Sequence, residues 1–370
     1  MSRIDKWLPF FEESSKKRDV ISWWKPIEEK VLNWGMEVSS IVSDRAKALI
    51  KLGTSDYLNV ISIPDLFHFT QDFGKLAGLQ IGKKRAAAKK VLSNIVESGK
   101  GKLKEELAQV EGIYQKYRNE MQQINKTIHP FNDKDEWTSQ REVEKSLLHC
   151  FRSIASLATK LDISIVITQA SKILAQILPI SQGVEAWVNM AKQELGTWLS
   201  VRKINKEEKN WLIKNALPFV YWQIQLNRTP AKLRNKDLRI YYKKRLQEAK
   251  QRALDNPITK ELETDRQQKL LLMAHKLAIT FQRASSQTEG RNGYLAFINH
   301  AYKGFPKDRL NVLTVIHNFD IKRKDGTTPA NRLFNKDFPD LFDFICANVT
   351  GFKEPRKIKS KSLTISLLQH

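Results

Sequence analysis

The sequence predicts a mostly helical protein in which a small mixed α/β part is interrupted by a large all-α insertion. Two short runs rich in β-branched residues fall within the first seventy residues, each next to a helical pattern, which is typical of an α/β layer. From residue 75 to 282 strand signals nearly vanish, and apolar residues recur at helical spacing. Apolar residues make up 41% of the 370 residues, so the composition permits a packed core.

The amino-terminal segment is predicted to alternate helix and strand. Gly35 ends the first helix, Pro64 ends the second strand, and Asp65 caps the helix that follows. The predicted elements are a helix over 23–34, a strand over 36–43, a helix over 45–52 and a strand over 59–63.

The middle of the chain is predicted to be an all-helical domain. One long helix carries apolar residues in alternating steps of four and three, a spacing typical of packing along a partner helix: Leu103, Leu107, Val110, Tyr114, Tyr117, Met121 and Ile124. His129-Pro130 ends this helix. Further helices are predicted over 138–159, 166–178, 182–199, 206–226, 232–254 and 258–282. No Gly/Ser-rich or Pro-rich linker flanks this block, which favours an insertion docked on the α/β part.

The carboxy-terminal segment is predicted to hold helices over 285–301 and 307–317, with a turn at Asp325-Gly326. A basic and flexible tail is expected from residue 351. The predicted organisation is 1–74 and 283–350 as two parts of one catalytic core, 75–282 as the helical insertion, and 351–370 as the tail.

The charge of the chain predicts a polyanionic partner. Lys and Arg number 63 against 40 Asp and Glu, which gives a net charge of +23, and nucleic acid is the leading candidate. No apolar run is long enough for a membrane span, so we predict an intracellular protein that binds no membrane. Cys150 and Cys346 lack zinc-binding spacing, which excludes a disulfide framework and a structural zinc site.

Asp44 is the first candidate for chemistry. It follows a short β-branched strand, and parallel α/β proteins place their sites at the carboxyl ends of strands. Carboxylates at such positions hold the two divalent metals that catalyse phosphodiester cleavage and transfer. The alternative is that Asp44 caps the helix beginning at Arg45, and the two roles are compatible.

Glu289 is the second candidate. It lies in a capping box with Ser286, so its carboxylate has a purely structural alternative. Gly290 and Gly293 each weaken a helix by about 1 kcal/mol relative to alanine, which favours the close approach of a backbone or of nucleic acid. Asn292 lies on the same helix face as Glu289 and can orient a phosphate or a metal-bound water.

Four segments resemble the DDE transposases of bacterial insertion sequences. Residues 43–49, with Asp44 after the strand, resemble the segment around the second catalytic aspartate of this family. Residues 283–295 are similar to the helix that carries the final glutamate, and residues 313–319 and 325–334 are similar to the tail of one such group.

The resemblance implies an RNase H-like core whose three carboxylates bind two Mg²⁺ ions and act on transposon-end DNA by cut-and-paste transfer. Asp44 and Glu289 are then the catalytic, metal-binding residues, in a cytoplasmic, nucleoid-associated protein that can form a homodimer. The first aspartate of the family precedes the second by several strands, and the 43 residues before Asp44 are too few to hold them. We therefore expect a truncated, inactive copy; the alternative is a non-catalytic helical DNA-binding protein.

Basic residues outside the carboxylate segments are predicted to contact DNA phosphates, although a charge run is also typical of a solvated helix face. One cluster lies over 83–90, and a second, over 228–245, includes two tyrosines. His68 either contacts DNA or is a satisfied helix histidine. The predicted DNA-contacting residues are Arg45, Lys47, Arg228, Lys232, Arg234, Lys243, Lys244, Arg245, Arg291, Asn292, Lys322 and Arg323.

Overall fold

The computed structural model describes most of the chain between residues 40 and 348. The described residues are 40–44, 47–53, 58–94, 100–202, 204–281, 286–301, 307–322, 325–334 and 336–348, together with 29, 33 and 38. Of the predicted helix over 23–34 only Glu29 and Asn33 are described, and both are helical. The predictions of a flexible tail from residue 351 and of roles for Arg45 and Arg323 fall outside the described residues. The described residues form two compact units, one up to Ala301 and the other from Lys307 onward.

Two short parallel strands form the sheet of the first unit. Strand β1 (Ser40–Ser43) pairs with β2 (Ile61–Pro64) in the register Ser40 to Ile61, and helix α1 (Lys47–Gly53) lies between them in sequence. Both predicted strands are present, each starting later than predicted. Asn59 has a φ of 33°, so the backbone turns just before β2 and pairing begins at Ile61.

A continuous helix follows the sheet. It comprises α2 (Leu66–Phe73), a π-helical turn (Gly74–Gly78) and α3 (Leu79–Ser93), which we call together the 66–93 helix. Its predicted cap is confirmed, because Asp65 Oδ1 accepts hydrogen bonds from the Phe67 and His68 amides at 2.7 and 3.2 Å. This cap fixes the start of the helix at the end of β2.

The helical domain fills most of the first unit, as predicted. Its helices are α4 (Lys100–Thr127), α5 (Gln140–Thr159), α6 (Ile167–Val201), α7 (Lys206–Trp211), α8 (Leu217–Arg228), α9 (Lys236–Asp255), α10 (Pro257–Glu261) and α11 (Thr264–Ala278), with a π-helical turn over Leu212–Ala216. Successive helices from α3 to α6 pack against one another, and α8 packs on α9 and α11. Among the described residues no helix is long and apolar enough to cross a membrane.

One predicted break in this domain is wrong. The two helices predicted over 166–178 and 182–199 are a single helix, α6, which contains Pro179. The helix continues because Ile177, Ile180 and Val184 on both sides of the proline are buried in the same core, and this packing offsets the hydrogen bond that proline removes.

The sheet packs on α6 through a glycine. A Cβ atom at Gly183 would lie 2.8 Å from both Cδ1 and Cγ1 of Ile63 in β2. Only a residue without a side chain allows this approach, so the position of the sheet depends on Gly183.

Four helices remain in the described part of the chain after α11. The first unit ends with α12 (Ser286–Ala301), and the second contains α13 (Lys307–Phe319), α14 (Pro329–Phe334) and α15 (Leu341–Asn348). The predicted turn is confirmed, because Gly326 has a φ of 79° and Asp325 accepts a hydrogen bond from the Thr327 amide at 3.1 Å. Hydrogen bonds from Thr327, followed by Arg332, lower the pKa of Asp325 to about 2.

Candidate carboxylate site and basic surfaces

Asp44 lies directly after β1, with its side chain exposed. The amide of Asp65 donates a hydrogen bond of 2.7 Å to the carbonyl of Ser43, so the carboxyl ends of β1 and β2 meet at one edge. The sequence predicted this location for Asp44. An exposed carboxylate at this edge can receive a ligand from solution.

Asp65 lies at the same edge but has a structural task. Its side chain is buried, and the two hydrogen bonds that cap the 66–93 helix occupy Oδ1. His68, one turn into that helix, is half-buried, with its ring 5.3 Å from the ring of Phe67 in an edge-on arrangement. Of these residues, Asp44 is the most exposed to an external ligand.

Glu289 lies in α12, and its side chain is outside the described residues, so its proximity to Asp44 stays a prediction. A Cβ atom at Gly290 or Gly293 would meet no described atom within 4 Å. A close approach by a described part of the chain therefore does not explain these glycines, and a ligand stays the predicted reason. Asn292 is exposed beside them.

The described residues contain no group of three or more His, Cys, Asp or Glu side chains arranged to hold a metal ion. The side chain of Glu289 is not among them. Mg²⁺ binding at Asp44 and Glu289 accordingly stays a prediction.

Three of the arginines predicted to contact DNA are instead engaged within the fold. Arg228 donates hydrogen bonds of 2.9 Å to the carbonyls of Ile279 and Phe281, just after α11. Arg291 is buried, with its guanidinium 5.4 Å from the centre of the Tyr294 ring. These contacts occupy donors of Arg228, and burial leaves Arg291 little exposed surface. Their roles as DNA contacts stay predictions.

Arg245 is the clearest correction. Its side chain is 5% exposed and pairs with Asp135, whose side chain is 1% exposed. Arg245 also donates to Glu248 Oε2 at 2.7 Å and to the carbonyl of Asn132 at 3.0 Å. It lies on the inner face of α9, so it cannot contact a phosphate outside the protein.

The lysines of α9 lie on the opposite face. We define the α9 lysine face as the exposed side chains of Lys236, Lys243, Lys244 and Lys250. Lys232, just before the helix, is also exposed. Lys244 is 3.8 Å from Glu248, with a side chain that is 73% exposed, so this pair leaves the charge in solvent. The predictions for Lys232, Lys243 and Lys244 therefore stay compatible with phosphate contact.

Three further predicted contacts lie elsewhere. Lys322, in the second unit, is 61% exposed and 3.9 Å from Asp340. Lys47 begins α1, and Arg234 lies in the short 3₁₀ turn before α9, but the side chains of both are outside the described residues.

The sequence did not predict the polar cluster beneath α9. Asp135 has a φ of 59° in the loop between α4 and α5, and its carboxylate accepts a hydrogen bond from Trp222 Nε1 at 2.8 Å. Arg252 pairs with the other carboxylate oxygen, and burial lowers the pKa of Arg252. The sequence signal for this cluster was the pair of arginines seven residues apart, which lie on the inner face of α9. A buried positive charge requires a partner.

A buried histidine extends this cluster. His129 Nδ1 is 2.5 Å from the hydroxyl of Tyr221, and its Nε2 is 3.3 Å from the hydroxyl of Tyr242. All three side chains are buried. The loop that follows α4 is thereby fixed to α8 and α9 by polar contacts as well as by packing.

Comparison with known proteins gives one match. Residues 212–361 match the model of DUF6399, a family of unknown function. The matched region runs from the π-helical turn before α8, through α9 and α12, into the second unit. No curated protein and no solved structure shows significant similarity to the chain.

Proposed function

We propose that the chain is related to the DDE transposases of bacterial insertion sequences and belongs to a phosphoryl-transfer system that acts on transposon-end DNA. The observation that carries this proposal is the position of Asp44, exposed at the carboxyl end of the first of two parallel strands. A helical domain separates it from the helix that contains Glu289. In this proposal the unit β1-α1-β2 is part of an RNase H-like core.

The chemistry would rest on two carboxylates of this chain. Asp44 and Glu289 would hold magnesium, which is bound in proteins by oxygen ligands and, when bound, activates a water or hydroxyl nucleophile and stabilises the leaving oxygen. Asn292 would orient a phosphate of the DNA. The family uses three carboxylates, and only two of them are assigned here, so metal binding is a more direct test of the proposal than cleavage.

The first experiment measures binding of Mn²⁺, as a paramagnetic substitute for Mg²⁺, to the full chain and to Asp44→Asn and Glu289→Gln variants. We expect each variant to bind Mn²⁺ at least tenfold more weakly, because each loses a charged ligand. Asp237→Asn is the control, since this half-exposed carboxylate lies in the helical domain. Unchanged binding in both variants would overturn the catalytic proposal.

The second experiment tests proximity. Ligands of two metals about 4 Å apart lie within roughly 8 Å of one another. A bifunctional thiol reagent of that length should therefore join Asp44→Cys to Glu289→Cys in a chain that also carries Cys346→Ser. Detection of the linked peptides by mass spectrometry supports the site, whereas their absence under conditions that modify both cysteines contradicts it.

A non-catalytic DNA-binding protein is the second candidate, and the α9 lysine face favours it. Four exposed lysines on one helix bind phosphates without any need for the carboxylates. If salt-dependent DNA binding is observed and Mn²⁺ binding does not depend on Asp44 or Glu289, this candidate replaces the first.

Filter binding between about 50 and about 200 mM salt tests the DNA partner that both candidates share. The salt slope is the slope of the logarithm of the affinity against the logarithm of the salt concentration. Replacing Lys243 and Lys244 by glutamine should reduce its magnitude by about 0.9 per lost contact and weaken binding to all sequences alike. Lys209→Gln with Lys269→Gln is a control of equal charge change. An affinity of the unaltered chain that does not respond to salt would contradict both candidates.

A further inference from the structure

The 66–93 helix begins beside the candidate carboxylate. Asp65, its N-cap, donates its amide to the carbonyl of Ser43, the residue that immediately precedes Asp44. From this edge the helix runs for 28 residues, or about 42 Å at 1.5 Å per residue. The helix therefore begins next to the strand end that carries Asp44.

The exposed charge of the 66–93 helix is entirely positive. The helix contains six lysines and arginines and a single acidic residue, Asp72. The carboxylate of Asp72 is 3% exposed and is held by Lys172 at 3.0 Å and by Gln176 at 3.1 Å. The outer surface of this helix consequently has no carboxylate of its own to repel a polyanion.

Three of the six basic residues are engaged within the protein. Arg85 and Lys89 each lie 2.8 Å from Glu111 on the neighbouring helix α4, and Lys84 donates to the carbonyl of Leu161. Hydrogen bonding to Arg85 and then to Lys89 lowers the pKa of Glu111, so this carboxylate is ionised and neutralises part of their charge.

The other three are Lys75, Lys83 and Lys90. Each has an exposed side chain, and no described carboxylate forms an ion pair with any of them. They are therefore the residues of this helix whose charge is available to an external partner.

The π-helical turn aligns these three lysines. Lys75 lies within that turn, which holds one residue more than a turn of α-helix. The eight-residue step from Lys75 to Lys83 thus rotates the chain about as far as seven residues of α-helix, and the step from Lys83 to Lys90 is seven residues. Seven residues complete nearly two turns, so the three lysines share one face at intervals of about 10 to 12 Å.

The π-helical turn is held in place by packing. Gly78, its last residue, faces the buried Tyr117 of α4, whose hydroxyl would lie 2.1 Å from a Cβ atom at that position. Desolvation raises the pKa of Tyr117 to about 12, so its side chain is neutral at this contact. The contact requires glycine and fixes the geometry on which the alignment depends.

From this arrangement we infer that Lys75, Lys83 and Lys90 form a phosphate-binding row for double-stranded DNA, on the helix that begins beside Asp44. The row spans about 22 Å, the length of roughly six base pairs at 3.4 Å each. Lysines recognise phosphates as point charges, so the row positions the duplex without reading its sequence. The inference rests on the proposed function for its choice of DNA, but it concerns residues outside the carboxylate site and the α9 lysine face.

Fluorescence anisotropy with a 20-base-pair duplex of arbitrary sequence tests the row, with the full chain and salt varied from about 50 to about 200 mM. The variant carries Lys75→Gln, Lys83→Gln and Lys90→Gln. We expect the salt slope to fall by about 0.9 per lysine, and the affinity near 100 mM salt to fall by about five- to tenfold per lysine.

The matched control carries Lys206→Gln, Lys209→Gln and Lys269→Gln, which remove the same charge from an exposed surface that also holds Glu207 and Asp265. Equal slopes and affinities for the two triple variants would overturn the row. A third variant, with arginine at the three row positions, should retain binding. Loss of binding in that variant would overturn the charge mechanism, because arginine keeps the positive charge at each of the three positions.

The outcome is separable from that of the proposed function. Salt slopes report on the lysine row, whereas Mn²⁺ binding to the Asp44→Asn and Glu289→Gln variants reports on the carboxylate site. If the triple lysine variant keeps the salt slope of the unaltered chain while the Asp44→Asn and Glu289→Gln variants lose Mn²⁺ affinity, this inference alone fails. If the salt slope falls as expected while both carboxylate variants bind Mn²⁺ as the unaltered chain does, the catalytic proposal alone fails.

Discussion

Asp44 and Asp135 are two aspartates of one compact unit in opposite environments. Asp44 is exposed at the end of β1, whereas Asp135 is 1% exposed and pairs with two arginines and a tryptophan. Ionic groups lose hydration when buried, so Asp135 is stable only with its partners, and its charge serves the fold. Asp44 retains its exposure and can serve a ligand.

Helix α9 repeats this contrast with positive charge. Its inner arginines, Arg245 and Arg252, pair with Asp135, while its outer lysines are exposed. The rotation of α9 about its axis therefore decides which charges hold the domain together and which can meet a partner. Proximity in sequence does not decide this, since Lys244 and Arg245 are adjacent but lie in opposite environments.

The largest predicted effect is on the buried aspartate. Asp135→Asn removes the charge that compensates Arg245, and we expect the free energy of unfolding to fall by about 3 to 5 kcal/mol. Asp237→Asn is the matched change in a half-exposed ion pair, whose carboxylate lies 3.0 Å from Arg118, and should cost about 0 to 1 kcal/mol. Urea denaturation measures both, and equal losses would contradict the assignment of Asp135 as the central partner.

The second effect concerns a partly buried pair. Arg266 binds both oxygens of Glu208, at 2.7 and 2.9 Å, and these hydrogen bonds lower the pKa of Glu208 from its ordinary value of 4.5. The stabilisation is present above that value and is lost as pH falls through the lowered pKa.

Arg266→Met should therefore cost about 1.5 to 3 kcal/mol at pH 7, and its stability should fall less steeply than that of the unaltered chain below about pH 5. Thermal unfolding at a series of pH values measures this difference. Parallel curves for the two proteins would show that Arg266 does not lower the pKa of Glu208.

The third effect tests how the sheet is attached. Gly183→Ala forces a methyl group against Ile63 and should destabilise the protein by about 1 to 3 kcal/mol. Gly196, in the same helix, has no described atom within 4 Å of an added Cβ, so Gly196→Ala should stabilise by up to about 1 kcal/mol. Opposite signs in denaturant titrations support the packing of β2 on α6, and a stabilising Gly183→Ala would contradict it.

The smallest effect concerns the two thiols. Cys150 is buried, and desolvation, with a smaller contribution from Glu120, raises its pKa to about 12, whereas Cys346 is exposed. A thiol reagent at pH 8 should modify Cys346 quickly and Cys150 only on unfolding. Cys346→Ser should change the stability by less than about 0.5 kcal/mol. Fast modification of two thiols in the folded chain would contradict the burial of Cys150.

Local sequence determined several ends of elements and the mostly helical character of the protein. Asp65 marks the start of the 66–93 helix, because its side chain needs only the nearby amides of Phe67 and His68 to form a cap. His129-Pro130 ends α4 and Asp325-Gly326 forms a turn for equally local reasons. The position of Asp44 after a β-branched strand was predictable in the same way, because strand ends are set by neighbouring residues.

Tertiary structure alone decided which charges are buried. Lys243, Lys244 and Arg245 look equivalent in sequence, and the partner of Arg245 lies 110 residues away in a loop with a left-handed backbone. Local preferences predict that a helix ends at Pro179, yet packing of the core on both sides of the proline allows α6 to continue. Both outcomes depend on contacts between distant segments, whose free energies outweigh local preferences of about 1 to 3 kcal/mol and leave no mark in the neighbouring sequence.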